Sequence, residues 1–233
     1  MLTAIGLSDS GKTRDHNQDT LVFPGLISIG SLSVPLVSAY QDGPALFAVV
    51  DGMGGHRGGQ EASRIVAQRL ANQPIAAVEL ALESANRELH ETSGYMPHLT
   101  GMGATVAGVS FADRQDCLVF NVGDARVYHW ANGYLLLLTQ DDRLRKDSQI
   151  VTQSLGATEH PIALDVHKRK LKFSKGERLL ICSDGLSEAL EFDTIQSLLT
   201  IESLEYAATE LLTSALDAGA ADNVSIVLIE SET

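Results

Sequence analysis

The chain has 233 residues and a formal net charge of −13, from 30 acidic against 17 basic side chains, so a nucleic-acid backbone or an anionic lipid surface would repel it. With 44% hydrophobic and 20% charged residues, it reads as globular, with apolar side chains enough for a full core. The opening MLTAIGLSDSGKTRD has no basic segment leading into a long apolar one, and no apolar run elsewhere could cross a bilayer, so a cytoplasmic protein without membrane insertion is expected.

In chain order, strands are expected at Ala4 to Leu7, Thr20 to Phe23 and Leu46 to Val50, with a loose hairpin over Leu26 to Tyr40. A helix is expected from near Gly59, because Ala62, Ile65, Val66 and Leu70 share one face. After Pro74 a second helix carries Val78, Leu82, Ala85 and Leu89. From Met102 to Thr139 the period becomes that of strands: ATVAGVSF, CLVFNVG, ARVYHW and YLLLLT, separated by ADRQD, GD and ANG, read as a meander. Val166 to Phe173 and Arg178 to Ser183 add strands, Ser203 to Asp217 a helix, and NVSIVLIE a closing strand.

No linker, repeat or low-complexity tract interrupts residues 1–233, so one domain is expected. The element order does not alternate as a parallel βαβ array does. It suggests an α+β fold of two antiparallel sheets packed face to face, each covered by helices. Cys117 and Cys182 sit in apolar runs and read as buried thiols.

The stretch FAVVDGMGGH, Phe47 to His56, runs an apolar strand into Asp51 and then into glycines. Four further acids stand at strand boundaries, Asp19, Asp124, Asp184 and Asp222. Turn propensity explains any one of them, but five suggest a rim lined with carboxylates. Such a rim needs positive charge, and an oxygen-only donor set selects hard cations such as Mg²⁺ or Mn²⁺.

Six motifs then occur in a familiar order: RDHNQD (Arg14 to Asp19), DGMGGH (Asp51 to His56), TGMGATV (Thr100 to Val106), GDARVY (Gly123 to Tyr128), SDGL (Ser183 to Leu186) and DNVSIV (Asp222 to Val227). With them the chain resembles the bacterial branch of the PP2C-type, metal-dependent Ser/Thr protein phosphatases. The resemblance implies a four-layer αββα sandwich and hydrolysis of phosphoserine and phosphothreonine by direct attack of a water bridging two divalent metals. It implies that Asp51 bridges the ions, that Asp19 and the Gly52 carbonyl help hold one, and that Asp184 and Asp222 hold the other. A weaker third metal site is implied at Asp124, Asp184 and Glu188.

By the same resemblance Arg14 grips the substrate phosphate, a task that suits its planar fork. His56 is a candidate general acid, with a structural loop role as the alternative; Met53 stands where many eukaryotic relatives carry histidine. Thr105 and Tyr128 read as packing and hydrogen-bonding residues. After LTQDD, Leu138 to Asp142, relatives continue into a longer flap, whereas here Thr152 to Ala157 soon follows, so the flap is expected to be reduced. Phosphoproteins are the implied substrates and a Hanks-type Ser/Thr kinase pathway the implied partner. The alternatives are a non-catalytic module of the same fold that senses phosphoprotein or metal, and a structural acidic domain.

Overall fold

The computed structural model describes residues 1–41, 43–72, 77–113, 115–145, 148 and 150–232, apart from the side chain of His56. Pro74 therefore lies outside the described residues. The strands are β1 (Leu2–Asp9), β2 (Thr20–Phe23), β3 (Leu26–Ile29), β4 (Leu36–Tyr40), β5 (Ala45–Met53), β6 (Gly103–Phe111), β7 (Asp116–Val122), β8 (Arg126–Ala131), β9 (Tyr134–Leu137), β10 (Leu155–Gly156), β11 (His167–Lys172), β12 (Arg178–Cys182) and β13 (Val224–Ser231). The helices are α1 (His56–Asn72), α2 (Val78–Tyr95), α3 (Asp184–Ala189), α4 (Phe192–Leu198) and α5 (Leu204–Asp217).

One sheet runs β4-β1-β13-β12-β8-β9; the other runs β11-β7-β6-β5-β2-β3, with β10 paired to β6. The pairings are antiparallel. Between the sheets lies an apolar layer in which Phe47 meets Phe23 edge-on at 5.5 Å and Phe111 at 6.2 Å, spacings at which ring edge and face attract. Outside one sheet, Val66 and Leu70 of α1 and Leu82 and Leu89 of α2 pack with Val50, Val106 and Phe120. Outside the other, Ala208 and Leu211 of α5 pack with Ile5, Leu180, Ile226 and Leu228. Three apolar layers between four structural ones explain the near-continuous hydrophobic runs of β5, β6 and β13, which are covered on both faces.

The α+β class and the αββα layering agree with the sequence reading, and Ser203 caps α5 by accepting a hydrogen bond from the Tyr206 amide. Two local expectations are overturned. Leu26 to Tyr40 is not a hairpin: β3 pairs with β2 in one sheet and β4 with β1 in the other, so the segment crosses the sandwich. Nor is Met102 to Thr139 one meander. The hairpins β6-β7 and β8-β9 belong to different sheets, and the GD between them is the crossover. The helices α3 and α4 were absent from the sequence reading.

Candidate active site

Antiparallel pairing brings the acids to one end of the sandwich. Thr20 pairs with Val50, so Asp19 before β2 and Asp51 near the end of β5 are neighbours. Cys182 pairs with Ile226, so Asp184 after β12 and Asp222 before β13 meet at the same end of the other sheet. Asp51 pairs with Thr105 at the start of β6, and Val106 with Val122 at the end of β7, which carries Asp124 in after it. Arg14, Asp51, Gly52, Asp124, Asp184 and Asp222 line one cleft of about 360 Å³. A wider hollow adjoins it, shares Arg14, Asp184 and Asp222, and reaches Glu188.

Asp19 lies behind the rim, with its side chain withdrawn from solvent. Asn223 fastens the Arg14–Asp19 segment to β13: its side-chain amide donates to the carbonyls of Ser10 and His16, and its oxygen accepts from the Gln18 amide at 2.8 Å. Asn17 accepts from the Asp19 amide at 3.0 Å. Gly52 has a steric reason besides the carbonyl proposed from sequence. A Cβ there would stand 2.1 Å from the Gly59 carbonyl oxygen, so only glycine lets α1 approach β5 this closely.

The electrostatics are those of acids crowded together and buried. Burial pushes the Asp19 carboxyl up to about 6, a rise only partly offset by the Ser225 and Ser183 hydroxyls. Asp51 is held well above the usual carboxylate range by burial and then by Asp19, Asp184, Asp222 and Asp124. Burial followed by repulsion from Asp124 and Glu188 lifts Asp184 to about 7. Both oxygens of Asp19 and Oδ1 of Asp184 are buried without a hydrogen-bond partner; the Ser183 hydroxyl donates to Asn223 and the Ser225 hydroxyl pairs with Ser8. A buried anionic oxygen left in this state costs several kcal/mol unless a proton or cation joins it.

Orphaned carboxylate oxygens and acids that repel one another suit hard divalent cations. Among the described residues, no group of three or more Asp, Glu, His or Cys side chains is placed to hold a metal ion. Two arginines supply the positive charge seen here. Arg14 Nη2 reaches Asp222 Oδ2 at 2.7 Å, with 57% and 37% of the two side chains exposed. Arg143 lies among the three acids expected to hold a third ion: Asp124 at 2.8 Å, Asp184 at 3.3 Å and Glu188 at 2.7 Å.

His56 opens α1, but its side chain lies outside the described residues. Thr105 lines the cleft and its hydroxyl has no partner, so it stands closer to the site than a packing role implies. Tyr128 accepts a hydrogen bond from Arg126 away from the cleft. The two thiols are buried and pushed up to about 12 by that burial, which leaves them protonated at neutral pH. Sequence reasoning missed Asn223 and Arg143. The asparagine stands inside the DNVSIV motif, and the arginine directly follows LTQDD.

The chain is thus an αββα sandwich whose two sheets bring acids to one end, beside an arginine. Residues 36–218 match the family model described as protein phosphatase 2C, and the chain belongs to that family. It is 32% identical over 96% of its length to the serine/threonine protein phosphatase PstP of Mycobacterium tuberculosis, and spans 44% of that protein. It is 27% identical over 97% of its length to the serine/threonine phosphatase stp of Listeria monocytogenes, spanning 94% of it. Among solved structures, the catalytic domain of PstP in complex with two manganese ions superposes with a TM-score of 0.80 at 27% identity, over 100% of each chain. No helix among the described residues is long and apolar enough to cross a membrane.

Proposed function

We propose that this chain is a divalent-metal-dependent protein phosphatase that hydrolyses phosphoserine and phosphothreonine. The observation that carries the reading is the set of buried, unpartnered carboxylate oxygens on Asp19 and Asp184 beside Asp51, next to a cleft with Arg14 at its mouth. The Mycobacterium and Listeria relatives named serine/threonine phosphatases support the substrate class. The manganese-containing PstP structure supports the cofactor, Mn²⁺ or Mg²⁺.

In this reading Asp51, Asp19, the Gly52 carbonyl, Asp184 and Asp222 hold two ions. Bound there, the cations supply charge neutralisation and a more acidic water for in-line attack. The residues of the chain do the rest. Arg14 exchanges its exposed contact with Asp222 for two oxygens of the phosphoryl group, a planar match that lysine lacks. Asp19, behind the rim, adds negative charge without crowding the cleft. The P–O bond to the serine oxygen breaks and that oxygen takes a proton; His56 is the proposed donor. The substrates are proteins modified by a Hanks-type Ser/Thr kinase, and the whole of residues 1–233 acts as one catalytic unit.

The test is phosphate release from a phosphoserine peptide after the metal has been stripped and its removal verified. Turnover should vanish in excess chelator and return with Mn²⁺. Undiminished turnover in the stripped protein would sink the metal mechanism. Tight phosphopeptide binding with no release in the presence of Mn²⁺ would favour a sensing module instead.

A further inference from the structure

Arg143 stands among the three acids at which the motif resemblance implies a weaker third ion. Its side chain is only 7% exposed, and its guanidinium meets three carboxylates: Nε to Asp124 Oδ2 at 2.8 Å, Nη2 to Asp184 Oδ2 at 3.3 Å and Nη2 to Glu188 Oε1 at 2.7 Å. We propose that Arg143 is a built-in replacement for that third ion, so that this chain takes two divalent cations and excludes a third. The inference rests on the two-ion reading above and concerns only the outer group of acids.

The geometry of the two cation types is incompatible. A small divalent ion such as Mg²⁺ draws oxygens to about 2.0–2.1 Å in an octahedron, whereas a guanidinium spreads them around a planar fork at N–H···O distances. The same three carboxylates cannot satisfy both. An incoming ion would have to expel a buried cation that cannot shed its proton.

The backbone that delivers Arg143 is anchored. Arg143 bridges to Val151, the Leu144 amide donates to the Ile150 carbonyl at 3.0 Å, and the Thr152 amide to the Asp142 carbonyl at 2.7 Å. The neighbouring Asp142 carboxylate accepts from the Gly123 amide and the Gln153 side chain, each at 2.8 Å, and pairs with His167 at 2.8 Å. These anchors hold the positive charge of Arg143 against Asp124.

Arg143 also acts on the inner site as a positioning residue. It engages Oδ2 of Asp184 and leaves Oδ1 buried and unpartnered, so one acid is divided between the guanidinium and the ion it would help to hold. Asp124 is engaged through Oδ2 and is almost wholly buried.

The experiment counts Mn²⁺ bound per full-length chain at saturation, by equilibrium dialysis with elemental analysis, and locates it by anomalous diffraction. The wild-type chain should bind two ions and show no manganese between Asp124 and Glu188. Arg143→Ala, which frees three acids, should bind three. Three ions on the wild-type chain, with Arg143 displaced, would overturn the inference and leave the two-ion reading standing. No ions at all would overturn the reading beneath it. Two ions on a folded Arg143→Ala chain would show that the arginine is not what excludes the third. Should that variant fail to fold, Arg143→Gln, which keeps most of the bulk and removes the charge, takes its place: three ions bound would support the proposal and two would overturn it.

Discussion

Replacing Asp19 by asparagine should stabilise the metal-free protein and weaken the metal-bound one. Asp19 is wholly buried, and its carboxyl sits at about 6 against an ordinary 3.8. Because the folded state holds this proton more tightly than the unfolded state, stability falls as pH rises from about 4 to about 6 and the loss is complete above that. At about 1.36 kcal/mol per pKa unit, ionised Asp19 costs the metal-free fold about 3 kcal/mol at pH 8. At pH 4 the cost shrinks to under about 1 kcal/mol. Asparagine removes the charge but adds an amide that needs acceptors, so the expected gain at pH 8 is about 1–3 kcal/mol, or about 2–12 °C in Tm for a chain of this size. The assay is thermal unfolding of wild type and Asp19→Asn in chelator at pH 4 and pH 8, repeated with Mn²⁺ at pH 8. Added Mn²⁺ should raise the wild-type Tm more than the variant's, since binding to the folded state alone is stabilising. A variant less stable than wild type in chelator at pH 8 would refute the reasoning. It would mean that the Ser183 and Ser225 hydroxyls satisfy the carboxylate after all.

Arg14→Ala should leave stability within about 1 kcal/mol, because its partner Asp222 and Arg14 itself are both substantially exposed. It should raise KM for a phosphopeptide by an amount on the order of 1.5–3 kcal/mol, with kcat reduced less; an unchanged KM would remove Arg14 from substrate binding. For His56→Ala, the loss of kcat should be larger on phosphopeptides than on aryl phosphates, whose leaving groups need no proton, and equal losses on both would remove His56 from acid catalysis. The reduced flap expected from the sequence should give weak discrimination among flanking sequences, so kcat/KM across phosphopeptides that differ only there should vary by less than about a hundredfold. A wider spread would show that another surface reads the sequence.

The acids of the site were legible because each is an isolated polar break at the edge of an apolar run, and Asp19, Asp51, Asp124, Asp184 and Asp222 all do meet at one end of the sandwich. The helices α1, α2 and α5 were legible from one-faced apolar spacing; the expected helix from Ser203 begins at Leu204, with Ser203 as its cap. The doubly buried strands β5 and β6 showed as near-continuous apolar runs, which a sheet with one wet face does not need. Short helices such as α3 and α4 bury too few side chains to leave a periodic signal.

Sheet membership was decided only by the tertiary structure. The GD after β7 and the segment after β3 have ordinary turn chemistry, and a turn read locally does not reveal whether the chain folds back on its neighbour or crosses to the opposite sheet. That choice is made by partners far along the sequence: β13 for β1, β12 for β8 and β11 for β7. The same holds for single residues. Gly52 is required by the approach of Gly59, Asn223 by carbonyls at Ser10 and His16, and Arg143 by Asp124, Asp184 and Glu188. A residue's type states which contacts it is able to make, but only the packed chain sets which groups stand within 3 Å of it, and the charge on Arg143 acquires its role from that proximity.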